Sequence, residues 1–197
     1  MRRIVLFFTL ALSLSAVARA DIMVTLNSGP VVSFSNFTWT YTATLKSGST
    51  LNNGDFFTIY DIGGFGPGVP IANPVIMPIA NWSASIQFIG INGFNQAPAD
   101  AGTLYNVTYV FTGSSSIVAA SDTILGGGAG AFGYTSSSSA AFAGAFSATS
   151  HATAGGLAQG NTSGVTVAGP SAVPEPTTSL LTGFGLLALS FLRRRKI

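Results

Sequence analysis

Residues 37–45 read Phe37-Thr38-Trp39-Thr40-Tyr41-Thr42-Ala43-Thr44-Leu45, apolar residues and threonines in unbroken alternation. Successive side chains of an extended strand point to opposite faces, so this period of two gathers the aromatics on one side and the threonines on the other. A face of that kind must be covered by a second layer, which predicts a half-buried strand whose aromatic side lies in the core. Turn chemistry follows at Ser47-Gly48-Ser49 and Asn52-Asn53-Gly54-Asp55. The next run, Phe56 to Ile62, is rich in aromatic and β-branched residues and reads as another strand, ended by Gly63-Gly64-Phe65-Gly66-Pro67-Gly68. Residues 82–91 and 104–112 add two more, divided by Pro98, Asp100 and Gly102, and shorter candidates lie at 31–35, 117–120, 142–147 and 165–168. Between the two ends of the chain no segment carries a 3.6-residue apolar period. Strands joined by short turns rich in Gly, Ser and Asn predict an all-β, antiparallel β-sandwich or jelly-roll-like domain over residues 21–166, and parallel α/β folds are disfavoured.

The chain has 197 residues, which suits one domain of about 100 to 200 residues with processing segments. Only 7% of it is charged, it contains no Cys and one His, and chemistry that depends on charge or thiols starts with few groups. The formal charge of +2 hides an uneven distribution. Arg2, Arg3, Arg19, Arg193, Arg194, Arg195 and Lys196 are all at the ends. Between Asp21 and Ala172 the single cation Lys46 faces Asp21, Asp55, Asp61, Asp100 and Asp122, so that region carries −4. Nucleic-acid binding needs a basic face, and this body has none.

Both ends read as addresses. Arg2 and Arg3 precede an apolar run at 4–17, and Ala18 and Ala20 then fill the −3 and −1 positions of a signal-peptidase site, so residues 1–20 read as a signal peptide cut after Ala20. At the other end Val173-Pro174-Glu175-Pro176 is followed by an apolar run at 180–192 and by Arg193-Arg194-Arg195-Lys196. As a helix that run spans roughly 20 Å, short of a hydrocarbon core of about 30 Å. It reads as a single short transmembrane helix aided by bilayer thinning and by the long stems of its basic stop. The cations stay cytoplasmic and the domain lies outside, held transiently at the inner membrane.

The order Pro-Glu-Pro, short apolar helix, basic end over residues 173–197 resembles the PEP-CTERM sorting signal of Gram-negative bacteria. The resemblance implies that an exosortase reads Pro174, Glu175 and Pro176 and removes the tail. The domain is then released to the cell surface or medium, in many such proteins into an exopolysaccharide matrix. The stretch 37–64 also resembles a domain that recurs among PEP-CTERM proteins, and no catalytic residue comes with it. From Gly113 onward composition drifts toward Gly, Ala and Ser, which predicts small-residue strands to about Thr166 and a linker at 167–172.

Chemistry inside the domain is sparse. His151, the only histidine, lacks a G-x-S-x-G partner motif, and a surface or strand-end role is the default. Zinc wants several Cys or His ligands, which the composition denies. Asp55 and Asp61, with Asn52 and Asn53, are calcium candidates, although Asp beside Asn-Gly is also a turn former. Gly128, Gly130 and Gly133 match G-x-G-x-x-G formally but lack the helix and acid that a dinucleotide site needs. Sequons at Asn36, Asn81, Asn106 and Asn161 occur close to chance frequency. Trp39, Tyr41, Tyr60, Trp82, Tyr105 and Tyr109 are types that stack on sugars, but aromatics on one strand face more often form the core. No cofactor is expected. The leading reading is an exported, non-enzymatic matrix or surface protein whose partners are signal peptidase, an exosortase and the membrane. A carbohydrate-binding module that retains exopolysaccharide is the second. An extracellular hydrolase is the third, and it would need Asp55 and Asp61 to work as a pair.

Overall fold

The computed structural model describes residues 21–34, 36–64 and 79–169. The signal peptide, the sorting motif at 174–176, the apolar run and the basic stop lie outside them. Among the described residues every element is a strand and every pairing is antiparallel. No helix of the described residues is long and apolar enough to cross a membrane.

The first sheet is built on β2 (Asn36–Leu45). One of its edges pairs with β1 (Ile22–Ser33), and the other carries β9 (Phe132–Ser136) and β8 (Thr123–Ile124) end to end. The alternation expected for β2 is present: Trp39, Tyr41, Ala43 and Leu45 are buried, while the threonines are half-buried on the other face. Phe37 packs against the same core. Gly29 shows how tightly β1 crosses this strand, since a Cβ there would lie 2.9 Å from Cε3 of Trp39.

In the second sheet β4 (Phe56–Ile62) pairs with β6 (Tyr105–Phe111) and with β10 (Ala141–Ala152). β5 (Trp82–Gln87) closes the edge beyond β6, and β11 (Ala158–Ala168) lies along the other edge of β10. The short strands β3 (Ser49–Leu51) and β7 (Ile117–Val118) continue the sheet past the end of β4. Inward-facing Phe57, Ile59, Val107, Tyr109, Phe146, Ala148, Val165 and Val167 meet the aromatic face of β2 to form a single core. Phe132 sits at its centre, with ring contacts to Phe57, Tyr109 and Trp82 at centroid distances of 4.9 to 5.1 Å.

The Gly-, Ala- and Ser-rich region is strand throughout β10 and β11, and pairing continues to Ala168, beyond the Thr166 expected. Residues 88–91, expected to prolong the strand at 82–87, instead begin a loop that folds back over the outer face of the second sheet.

Candidate functional site

The outer face of the second sheet is polar and covered. Thr58, Tyr60, Asn106, Thr108 and Ser147 alternate with the core residues of β4, β6 and β10, which points them away from the sandwich interior. The loop from Phe88 to Ala101 crosses them. Thr58 Oγ1 donates to the Ile91 carbonyl at 2.9 Å and bonds Thr108 Oγ1 at 2.8 Å. The Tyr60 hydroxyl lies 2.7 Å from the Ile91 carbonyl, 2.9 Å from Asn92 Oδ1 and 2.7 Å from Ser147 Oγ. Burial pushes the Tyr60 phenol up. Gly93 N donates to Ser147 Oγ and Phe94 N to Thr149 Oγ1. Small residues make this approach possible: a side chain on Gly93 would collide with the Ala148 carbonyl, and one on Gly160 with Phe94 backbone.

The two calcium candidates stand at opposite ends of β4, roughly 20 Å apart at about 3.3 Å per residue. Asp55 is buried, where its Oδ2 accepts the Asn52 amide at 2.7 Å and lies 3.0 Å from His151 Nδ1. Desolvation holds its carboxyl above the usual value, against the lowering effect of those two partners. Asp61 is half-buried, and its Oδ1 accepts the Ala101 amide at 2.8 Å. Asp100 ties down the same loop, accepting Gly90 N and Asn106 Nδ2, while Asn106 Oδ1 accepts the Asp61 amide. These carboxylates brace turns, and the pair required by the hydrolase reading does not exist: two-carboxylate glycosidases hold theirs about 5 to 9.5 Å apart. Among the described residues no group of three His, Cys, Asp or Glu side chains could hold a metal.

His151 sits near the end of β10, half-buried, and its acid partner comes from 96 positions away in sequence. No sequence signal marked this couple, because neither residue lies in a motif. The neighbouring Ser150 hydroxyl faces the core instead and has no hydrogen-bond partner among the described residues. Of the aromatics considered for sugar stacking, Trp39, Tyr41, Tyr60 and Tyr109 are fully buried, Trp82 packs against the core and Tyr105 stacks on Phe88. The three glycines of the formal dinucleotide pattern serve separate ends. Gly128 is in open space, Gly130 has φ +71° beside Asn27, and Gly133 lies in β9 against the Trp39 carbonyl. Two sequon asparagines have engaged side chains: Asn106 in the loop brace and Asn161 in a 2.8 Å bond to the Ile22 carbonyl.

An open cleft of about 610 Å³ lies between the start of β1, the tip of the covering loop and β11. Asp21, Phe94, Asn95, Gln96, Gln159 and Asn161 line it, and Phe94 is 49% exposed.

Comparison with known proteins places one family model on the chain, the PEP-CTERM protein-sorting motif, at residues 172–196. No curated protein and no solved structure matches it.

Proposed function

We propose that this chain, which carries a PEP-CTERM protein-sorting motif, is a non-enzymatic extracellular protein of the exopolysaccharide matrix or cell surface. The motif is the observation that carries the reading. It implies an exosortase as processing partner and export toward the cell surface. The signal peptide ending at Ala20 delivers the chain to the inner membrane, the apolar run at 180–192 holds it there, and cleavage near Pro174-Glu175-Pro176 frees the domain. Two prolines fix φ and deny helix to the residues before them, which leaves an extended strand above the bilayer for a protease to grip. The engagement of Asp55, Asp61 and Asp100 in turns supports a non-enzymatic role. The test is Glu175→Ala in the native host, since it removes the recognised carboxylate and leaves the apolar run and basic stop intact. Full-length protein should then accumulate in the membrane while the wild type reaches the medium. Equal distribution of the two would defeat the sorting reading.

A second reading, exopolysaccharide binding, moves from the buried aromatic stripe to the cleft beside Phe94, where an exposed ring lies among amide side chains. Its check is whether added polysaccharide perturbs the amide resonances of residues 94–96 and 158–163. Unchanged spectra would remove it.

A further inference from the structure

We propose that the pole of the sandwich from which the tail departs is a membrane-apposed surface, with Val31, Val32, Phe34 and Phe142 seated in the headgroup region of the bilayer that the tail enters. The inference rests on the reading of the tail given above. Register places these residues together. Val32 lies opposite Phe37 and Phe37 opposite Ser136, and from Ser136 the chain passes to β10, whose Ala141 and Phe142 lie opposite Ala168 and Val167. The β1–β2 hairpin tip, the β9–β10 connection and the chain exit therefore share one end. Gly169 N donates to the Ala140 carbonyl at 2.6 Å, and a Cβ on Gly169 would touch Phe142.

The residues at this pole are the wrong ones for water. Val31 is 52% exposed, Val32 71%, Phe142 51%, and Phe34 fully so. Scattered apolar side chains need no explanation, but several at one strand-end pole mark an interaction surface. Its occupant follows from the tail. Ten residues, 170–179, separate Gly169 from the apolar run, and even fully extended they reach no more than about 35 Å. In every molecule that still carries its tail the bilayer is thus held within reach of this pole, at any protein concentration, which a second copy is not. Charge is arranged accordingly. Lys46, bonded through its amide to the Asp21 carbonyl and paired with Asp122, is at the opposite end, as are Asp55 and His151. Asp61, at the tail end of β4, and Asp100 lie on the outer flank of the second sheet, with their oxygens engaged by Ala101, Gly90 and Asn106. Attraction at the pole is therefore apolar, and salt, which screens the repulsion between these carboxylates and an anionic surface, should not weaken it.

The chain contains no cysteine, so single-cysteine variants can carry a probe without competing labels. Full-length Val32→Cys and Ser121→Cys, the second at the opposite pole, are labelled with an environment-sensitive fluorophore. They are then reconstituted into phosphatidylethanolamine and phosphatidylglycerol vesicles doped with headgroup-level nitroxide lipid. Quenching at position 32 should exceed that at position 121 several-fold and should not fall at high salt. An anchored chain with equal, weak quenching at both sites overturns the membrane-apposed pole alone. A position-32 signal that shifts with protein concentration and ignores the nitroxide lipid also overturns it, in favour of a second copy. A chain that does not float with the vesicles overturns the reading of the tail itself.

Discussion

Three tyrosines of the core, with Tyr60 buried beneath the covering loop, make alkaline pH the sharpest probe of this fold. The rings of Tyr41 and Tyr134 stack at 5.6 Å and their hydroxyls lie 2.8 Å apart. Tyr41 donates to the Thr166 carbonyl, and the Tyr134 oxygen accepts the Ala168 amide, so the couple joins both sheets. Tyr109 donates to the Gly133 carbonyl at 2.6 Å and accepts the Gly133 amide at 3.0 Å. Desolvation is the largest cause that raises all three phenols above their ordinary value, with the neighbouring Tyr134 adding to it at Tyr41. The stability they contribute is therefore complete below the unfolded value of about 10 and is lost as pH rises past it, because the unfolded chain releases protons that the folded chain retains. Each such group costs about 1.4 kcal/mol per pH unit, and with Tyr60, whose buried phenol is also raised, the four give about 5.5. Against a typical domain stability of about 5 to 15 kcal/mol, the fold should collapse within about one to three units above pH 10. Tyrosinate absorbance followed beside near-ultraviolet circular dichroism should show these phenols ionising in one steep step as the tertiary signal vanishes. Tyr134→Phe should reduce the slope of stability against pH by about a quarter. Gradual ionisation of all five tyrosines on a one-proton curve, with tertiary structure intact, would refute the buried network.

Trp39→Ala removes a fully buried indole from the first sheet and should cost about 3 to 5 kcal/mol in urea unfolding, whereas Phe34→Ala at the exposed hairpin tip should stay within about 0.5 kcal/mol. Gly93→Ala forces a methyl into the Ala148 carbonyl and should cost about 1 to 3 kcal/mol and speed proteolysis of the covering loop; Gly128→Ala, with no atom within 4 Å, should leave the melt unchanged.

How much of this was legible before folding depended on whether the signal was local. The alternation of 37–45 survives as β2 because both of its properties, period and aromatic content, are set within one strand. The beginning of β1 is not among the expected strands, yet Ile22 and Val24 alternate with Met23 and Thr25 and are buried in that pattern. β9 was hidden in a Gly- and Ala-rich run that resembles a linker in composition; its tyrosine and phenylalanine are core only because Trp39 and Tyr41 lie opposite. The extension expected through 91 failed for a tertiary reason. Phe88 to Ile91 look like strand, but Thr58 and Tyr60 donate to the Ile91 carbonyl and Ser147 accepts the Gly93 amide, which captures the loop instead. The Asp55–His151 couple is likewise a product of the β4–β10 pairing, and no spacing in sequence could have given it.

The same pairing explains how a body with a single cation is held together. Lys46 and Asp122 pair in solvent, where an ion pair contributes little and salt screens it. Small residues at Gly93, Ala148 and Gly160 let backbone lie on backbone, and the hydroxyls of Thr58, Tyr60 and Ser147 then satisfy the Ile91 carbonyl and the Gly93 amide that such close approach buries. Neutral hydrogen bonds of this kind keep their strength when ionic strength changes. The small-residue composition, expected to pair as strands, is what allows the second, polar layer to form. A domain stabilised in that way keeps its fold as ionic strength changes, while seven of the chain's eight Lys and Arg residues lie in its two ends.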